Sequence, residues 1–436
     1  MNTLESTIQL PARIETWWNK ENRNIIANAV LERQQKAYNA FKALGFPHTK
    51  MEDWKYTDVR KITHYPYAWP VKGEQKLDKN TFKSFMLADL KDVYRLVFVN
   101  GYLQDDLTIL PEGKDKFTVT HLGDDKGSDH YEDHLANVVN TDTAFTALNT
   151  AIHSDGVLIH VQKNTVVDKP VLVYYVALTE ADLYLIQPRN IVITETGSKV
   201  QFAEIFVSKG MEPSLTNVVT EIKAGENSLL DYSRIQLEEN KNFHVGYTGI
   251  EQQRNSRIDT HVFSLNGAFV RNDLHFILQG TNCSSIMNGL YILKDEQFLD
   301  NHTRVDHAVP SCVSDQLYKG ILAGKSTGIF NGKIIVHPDA QKTNAYQRNV
   351  NVLLSDDATI NTKPQLEIFA DDVRCTHGAT AGFIDEEAIF YMQARGISKE
   401  EARNLLMNAY ANEIVQKMNV EVLKDPLRKY IAKKLK

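Results

Sequence analysis

The middle of the chain is a long succession of short β-rich runs with no long helix between them, and this limits the fold more than any other feature. The runs 157–161, 171–176, 200–207, 228–237, 257–265, 269–278, 286–293 and 332–336 are its clearest members. Many alternate apolar with polar residues, as strands with one dry and one wet face do. Glycine or asparagine punctuates them, at Gly197, Gly225, Gly246, Gly267, Gly280 and Gly328 among others. Strand starts recur at roughly 10–17 residue intervals, which suits a sandwich, a barrel or a β-solenoid. Spacing does not choose among the three, and no strict repeat is visible.

Helical patterns flank this core, giving three regions: 1–150, 151–378 and 379–436. In the first, Ile14, Trp17, Trp18, Ile25, Ala29 and Val30 recur at loosely helical spacing, and Gly45-Phe46-Pro47 is a stop signal. Residues 93–101 read as a strand entering a turn, and the polar stretch 123–130 as a loop. In the last region, Asp385 caps a helix over 386–395 that Gly396 ends. Ser398 and Glu401 form a capping box for a second helix. Its apolar stripe is Ala402, Leu405, Leu406, Ala409, Tyr410, Ile414 and Met418. Such a hairpin packs on its own protein or serves as a docking surface. The basic, amphipathic tail 427–436 reads as a solvated helix end, with an anionic partner surface as the alternative.

Composition excludes several function classes. With 49 basic against 55 acidic residues the net charge is −6, which argues against nucleic-acid binding. Three widely spaced cysteines, Cys283, Cys312 and Cys375, make neither a disulfide framework nor a zinc ribbon. No leader-like pattern opens the chain and no apolar stretch approaches the ~20 residues of a membrane span. The expected setting is therefore a reducing cytoplasm, in which the sequons at Asn282 and Asn301 carry no meaning.

Few segments offer chemistry. Ala323-Gly324-Lys325-Ser326-Thr327 looks like the end of a phosphate-binding loop, but the glycine required five positions before the Gly-Lys pair is replaced by Lys319, and β-like residues follow. No ATPase activity is expected. Cys375 and His377 are two apart, so a strand puts both on one side, as soft-metal or sulfur chemistry requires. The alternative is a buried cysteine beside a hydrogen-bonded histidine. His302, Asp306 and His307 form a second cluster, read as structural turn chemistry or, alternatively, as metal ligands.

Several of these segments carry a resemblance. Phe330-Asn331-Gly332-Lys333-Ile334-Ile335-Val336, Ala340-Gln341-Lys342-Thr343-Asn344-Ala345, and Leu353-Leu354-Ser355 leading into Asn361-Thr362-Lys363-Pro364-Gln365-Leu366-Glu367-Ile368 resemble the SufB/SufD family. Ala370-Asp371-Asp372-Val373-Arg374-Cys375-Thr376-His377-Gly378-Ala379-Thr380 resembles its SufD branch. Phe390-Tyr391, Arg395-Gly396-Ile397 and the tryptophan motif Glu52-Asp53-Trp54-Lys55-Tyr56-Thr57-Asp58 are also family-like. The likeness is densest over about 298–412.

The resemblance implies a mainly β fold: a right-handed parallel β-helix between N-terminal and C-terminal helical regions. It implies a scaffold subunit rather than an enzyme, paired with a SufB-type paralogue and a SufC-type ATPase in iron–sulfur cluster assembly. The isolated chain would carry no cofactor, and a transient cluster would form at the partner interface. His377 matches the histidine at that interface, where iron ligation is an open role, and Cys375 matches a cysteine of the same strand. The scaffold cysteine of SufB aligns with Ile368, and Gly378 replaces a glutamate common in SufB-like chains, so both positions favour the SufD branch. The helical hairpin matches the ATPase-docking region, with Lys399, Glu400 and Arg403 as its candidate contacts. No nucleic acid or membrane is implied; a homodimer of the isolated chain remains open. The alternatives are a SufB-like cluster-bearing scaffold and a β-helix carbohydrate-active enzyme.

Overall fold

The computed structural model describes residues 10–21, 28–87, 92–111, 116–125 and 129–436. Ile25, and residues 126–128 of the expected loop, lie outside them. The described parts of that loop are helical turns, Leu122–Asp125 and Asp129–His134, rather than irregular chain.

From residue 157 onward the chain winds into a parallel β-solenoid of about eight turns. Successive strands go alternately to two ten-stranded sheets, called here sheet I (ending in Arg374–Phe383) and sheet II (ending in Thr359–Ile368). Between the two ends of the stack, strands pair in parallel with the strand one turn earlier and one turn later. This stacking removes the sandwich and barrel alternatives. Strands at 157–161 and 269–278 fall where the alternation put them.

The repeat escapes notice in the sequence because its length varies. In sheet I equivalent residues are 229, 257, 284, 313, 344 and 374, so a turn takes 27 to 31 residues. What recurs is a corner in the left-handed region. Asn227, Asn255, Asn282, Ser311 and Lys342 occupy it with φ between 56° and 64°. Asparagine tolerates this region better than most residues. The side chains also form a ladder, Asn282 Nδ2 donating to Asn255 Oδ1 (3.2 Å) and Asn255 Nδ2 to Asn227 Oδ1 (3.0 Å). Asn282 is therefore a corner residue. Gly324, at φ +66°, turns the chain between two strands, so the Ala323–Thr327 segment forms no phosphate-binding loop.

The interior of the solenoid is packed with branched and aromatic side chains; Phe98, Tyr175 and Phe206 stack with centroids 5.2 and 5.0 Å apart. It also holds paired charges. Arg234 and Glu204 meet at 2.9 Å with both side chains almost wholly buried.

Two outer faces are covered. Helices Leu10–Glu21, Asn28–Leu44 and Ala144–Ile152 pack over the early part of sheet II. The tryptophan motif fastens the N-terminal region to the same sheet: the Arg271 guanidinium lies 4.0 Å from the Trp54 ring centroid and donates to Asp53 O at 2.8 Å. Helices Lys399–Lys417 and Glu421–Leu435 cover sheet I. The expected stripe is rotated on the first of these. Leu405 and Ala409 face solvent, and Met407, Ala411 and Val415 are buried in their place. The basic tail is part of the second helix, and its Leu427, Ile431 and Leu435 bury against the core. No described helix is long and apolar enough to cross a membrane.

Two buried histidines make this assembly acid-sensitive. His261 binds Lys417 O at 2.9 Å, and His307 binds Ser314 Oγ at 2.9 Å. Burial pushes both down to about 4, below the ordinary 6.5. Each ring is neutral when folded and takes up a proton on unfolding below pH 6.5. Their contribution is thus intact above about pH 6.5 and is lost as pH falls toward 4. The urea midpoint should drop between pH 7.5 and 5, and His261→Gln with His307→Gln should flatten that dependence. An equally steep loss in the double variant would assign it to other groups.

Candidate functional site

Among the described residues the last turn of the solenoid has no neighbour on its far side: there Thr359–Ile368 pairs only with Thr327–Val336, and Arg374–Phe383 only with Asn344–Leu353. Arg374 N donates inward to Thr343 O at 2.9 Å. Alternation along the strand then directs the amides of Cys375, His377, Ala379 and Ala381 to the open edge. The same alternation puts Pro364 with its ring nitrogen on the open side, since Thr359 N and Phe369 N both bond inward. An edge is where a strand tolerates a residue with no N–H.

The inner face of this turn is an end plate. In the preceding sheet I strand, Ala345, Gln347, Asn349 and Asn351 are buried inside the solenoid, while Tyr346 and Arg348 face out. Cys375, His377, Ala379 and Ala381 stand in register on those four buried residues. Ile360, Thr362, Pro364, Leu366 and Ile368 stand likewise on buried Gly328, Phe330, Gly332, Ile334 and Val336. Cys375 and His377 therefore share a face. Their surroundings differ: Cys375 is half-buried against Ala345, Val373 and Ile334, and burial raises its thiol above the ordinary value. His377 is exposed. The plate is mostly apolar with one accessible imidazole, and Ile368 on it is 40% exposed.

The second histidine cluster comes apart in the structure. His302 and Asp306 share the outer face of Phe298–His307, and His307, an odd number of residues from His302, points inside. His302 pairs with Asp300 at 3.0 Å and Asp306 with His275 at 2.5 Å. On this strand the i, i+4, i+5 spacing divides the three residues between two faces. Among the described residues no group of three or more His, Cys, Asp or Glu is arranged to hold a metal ion. Cys283 and Cys312 are buried on neighbouring turns, away from the end plate.

The C-terminal hairpin presents mixed chemistry. Lys399 is exposed and bonds Glu386 at 3.3 Å, and Glu400 is exposed. Arg403 is half-buried and donates to Leu354 O at 2.8 Å, which ties the helix to the solenoid. The largest exposed apolar groups here are Phe390 (74%), Tyr391 (58%) and Leu405. Contact residues chosen by charge alone miss these. A cleft of about 700 Å³ runs between the tryptophan motif and sheet II, but it contains neither Cys375 nor His377. Its cations are already paired, Arg271 with Asp273 and Asp300, Arg304 with Asp306, and Lys333 with Glu367.

Comparison with known proteins matches this architecture. The family model "SUF system FeS cluster assembly, SufBD core domain" covers residues 176–410, and "SufBD protein N-terminal region" covers 16–173. The chain belongs to the SufBD family. An iron–sulfur cluster assembly SufBD family protein of Synechocystis is 30% identical over 92% of this chain and 90% of its own. SufD of Escherichia coli is 29% identical over 90% of both chains, and SufD of Bacillus subtilis 26% over 89% of both. This SufBD protein is thus one of a family of iron–sulfur cluster assembly proteins, with SufD proteins among its full-length relatives. That membership stands against a polysaccharide-acting β-helix.

Proposed function

We propose that this chain is the SufD-type subunit of an iron–sulfur cluster assembly complex in the cytoplasm. It docks a SufB-type paralogue through the open end of the solenoid and a SufC-type ATPase through the C-terminal hairpin. The cluster is cargo, built at the junction with the paralogue, and this subunit has no resident cofactor or ATPase activity of its own. Without its partner the same end pairs with a second copy of the chain.

One observation carries this reading: the accessible imidazole of His377 sits on the end plate beside a row of unpaired backbone amides. A parallel strand edge recruits another strand, because each N–H and C=O gains a partner. Joining two solenoid ends would enclose His377 between them. Neutral imidazole ligates iron, and the protonated ring stabilises sulfide charge. Ile368, where the resemblance aligns the SufB scaffold cysteine, lies on the same plate and offers no sulfur. This favours SufD over a SufB-like scaffold that would carry a cluster alone.

The test is reconstitution with SufB-type and SufC-type partners. His377→Ala should leave the complex assembled while lowering cluster formation roughly tenfold or more, followed by visible absorbance. Equal cluster yield from variant and wild type would remove the role of His377. Failure of the wild-type chain to capture either partner would remove the complex.

A further inference from the structure

A ladder of side chains runs along the inside of sheet I and ends at His377. Register places Met287, Gln316, Gln347 and His377 directly above one another on four successive turns. The two glutamines are 1% exposed. Gln316 Nε2 donates to Thr303 Oγ1 at 2.7 Å, and Gln347 Nε2 donates to Gln316 Oε1 at 2.8 Å. The chain of bonds therefore has a direction. Each amide spends its N–H on the turn before it, which leaves its oxygen for the turn after it. For Gln316 that oxygen is used; for Gln347 it is not. Gln347 Oε1 is buried and has no hydrogen-bond partner. A buried acceptor left unmatched costs about 1–3 kcal/mol, and the next residue in the ladder is the imidazole of His377.

The surroundings hold the amide in place. Gly332, across the interior on sheet II, leaves room for it: a Cβ there would come within 2.3 Å of Gln347 Nε2. Gln347 is thus held between Gln316 and the Gly332 backbone, with its carbonyl the only free polar atom of the side chain.

We infer that Gln347 is the positioning residue for His377: its Oε1 accepts a ring N–H, fixes the tautomer, and turns the other ring nitrogen to the open end. A histidine that meets a metal donates its remaining N–H to an oxygen acceptor for the same reason, since the acceptor sets ring orientation and raises the basicity of the free nitrogen. The end plate then presents one oriented lone pair to whatever docks on it. This inference rests on the proposed role of His377 for its functional consequence; the structure leaves Gln347 Oε1 unpaired, and the proposed bond needs only a turn of the His377 ring in the isolated chain.

The experiment is ¹⁵N-histidine NMR of the full chain, with His377 assigned among the 14 histidines by the signal that His377→Gln removes. At pH 8 the wild type should show one dominant tautomer at His377. Gln347→Met keeps the length and loses the acceptor, so its ring nitrogens should move to the averaged shifts of a freely exchanging imidazole. Gln347→Glu keeps an acceptor at the same place, and should keep one dominant His377 tautomer. In the assembled complex Gln347→Met should slow cluster formation about tenfold. Unchanged His377 shifts in a folded Gln347→Met protein would overturn the assignment. If that variant does not fold, averaged His377 shifts in wild type or in Gln347→Glu overturn it instead. A failed role for His377 appears separately, as full cluster yield from His377→Ala while the tautomer shift persists.

Discussion

Replacing Glu204 with leucine should destabilise the protein by about 3–5 kcal/mol, a large share of the stability of a folded domain. Glu204 is fully buried inside the solenoid and accepts from Arg234 Nε at 3.0 Å, Tyr232 Oη at 2.7 Å and Asn190 Nδ2 at 2.8 Å. Arg234 is 2% exposed, and its charge has no water to turn to. Removing the carboxylate strands that charge and three further donors, since Thr220 Oγ1 also donates to it. Removing both charges should be far milder, because two apolar side chains of similar volume avoid the desolvation that the ion pair had to offset. Urea unfolding of Glu204→Leu, Arg234→Met and the double variant checks this. Additive losses in the cycle would mean that the two groups are not compensating each other.

The second large effect concerns assembly rather than stability. Ala379→Pro should leave the unfolding midpoint close to wild type and weaken capture of a SufB-type partner roughly thirtyfold, about 2 kcal/mol. The Ala379 amide points to the open edge of Arg374–Phe383, so no bond within the solenoid is lost. Pro364 already occupies the corresponding kind of position on the other terminal strand. A partner strand laid along this edge would lose a donor and meet a pyrrolidine ring. Titration of the variant with the partner measures the change. Undiminished affinity would show that docking uses another surface.

How far the sequence revealed this molecule depends on whether the controlling contacts are local. Alternating runs such as 269–278 identify their strands because burial of one face imposes a period of two. Asp385, Gly396 and the Ser398–Glu401 pair mark helix ends because capping is settled within one turn; Ser398 Oγ accepts from Glu401 N at 3.2 Å. Coiling was not legible from pattern alone. Its corners accept Asn, Ser and Lys, and the turn length changes from one turn to the next. Only the family resemblance resolved it. One misreading arose where packing overrode the expected stripe. On Lys399–Lys417 the solenoid beneath chose Met407, Ala411 and Val415 over Leu405 and Ala409. Cys375 and His377 were legible because they lie two residues apart. Gln347 was not, because its meaning depends on Gln316, 31 residues earlier and one turn away.

The two ends of the rod are unlike. At the start the sheets end in short antiparallel strands, Tyr102–Leu103 and Phe117–His121, whereas the finish presents two ten-residue parallel strands with no partner on their outer side among the described residues. A body with a single adhesive tip can join one other such body and then has nothing left to offer. If the longer edge docks a partner as proposed, growth stops at a pair, and a stack of parallel strands that could otherwise propagate into a fibre becomes self-terminating.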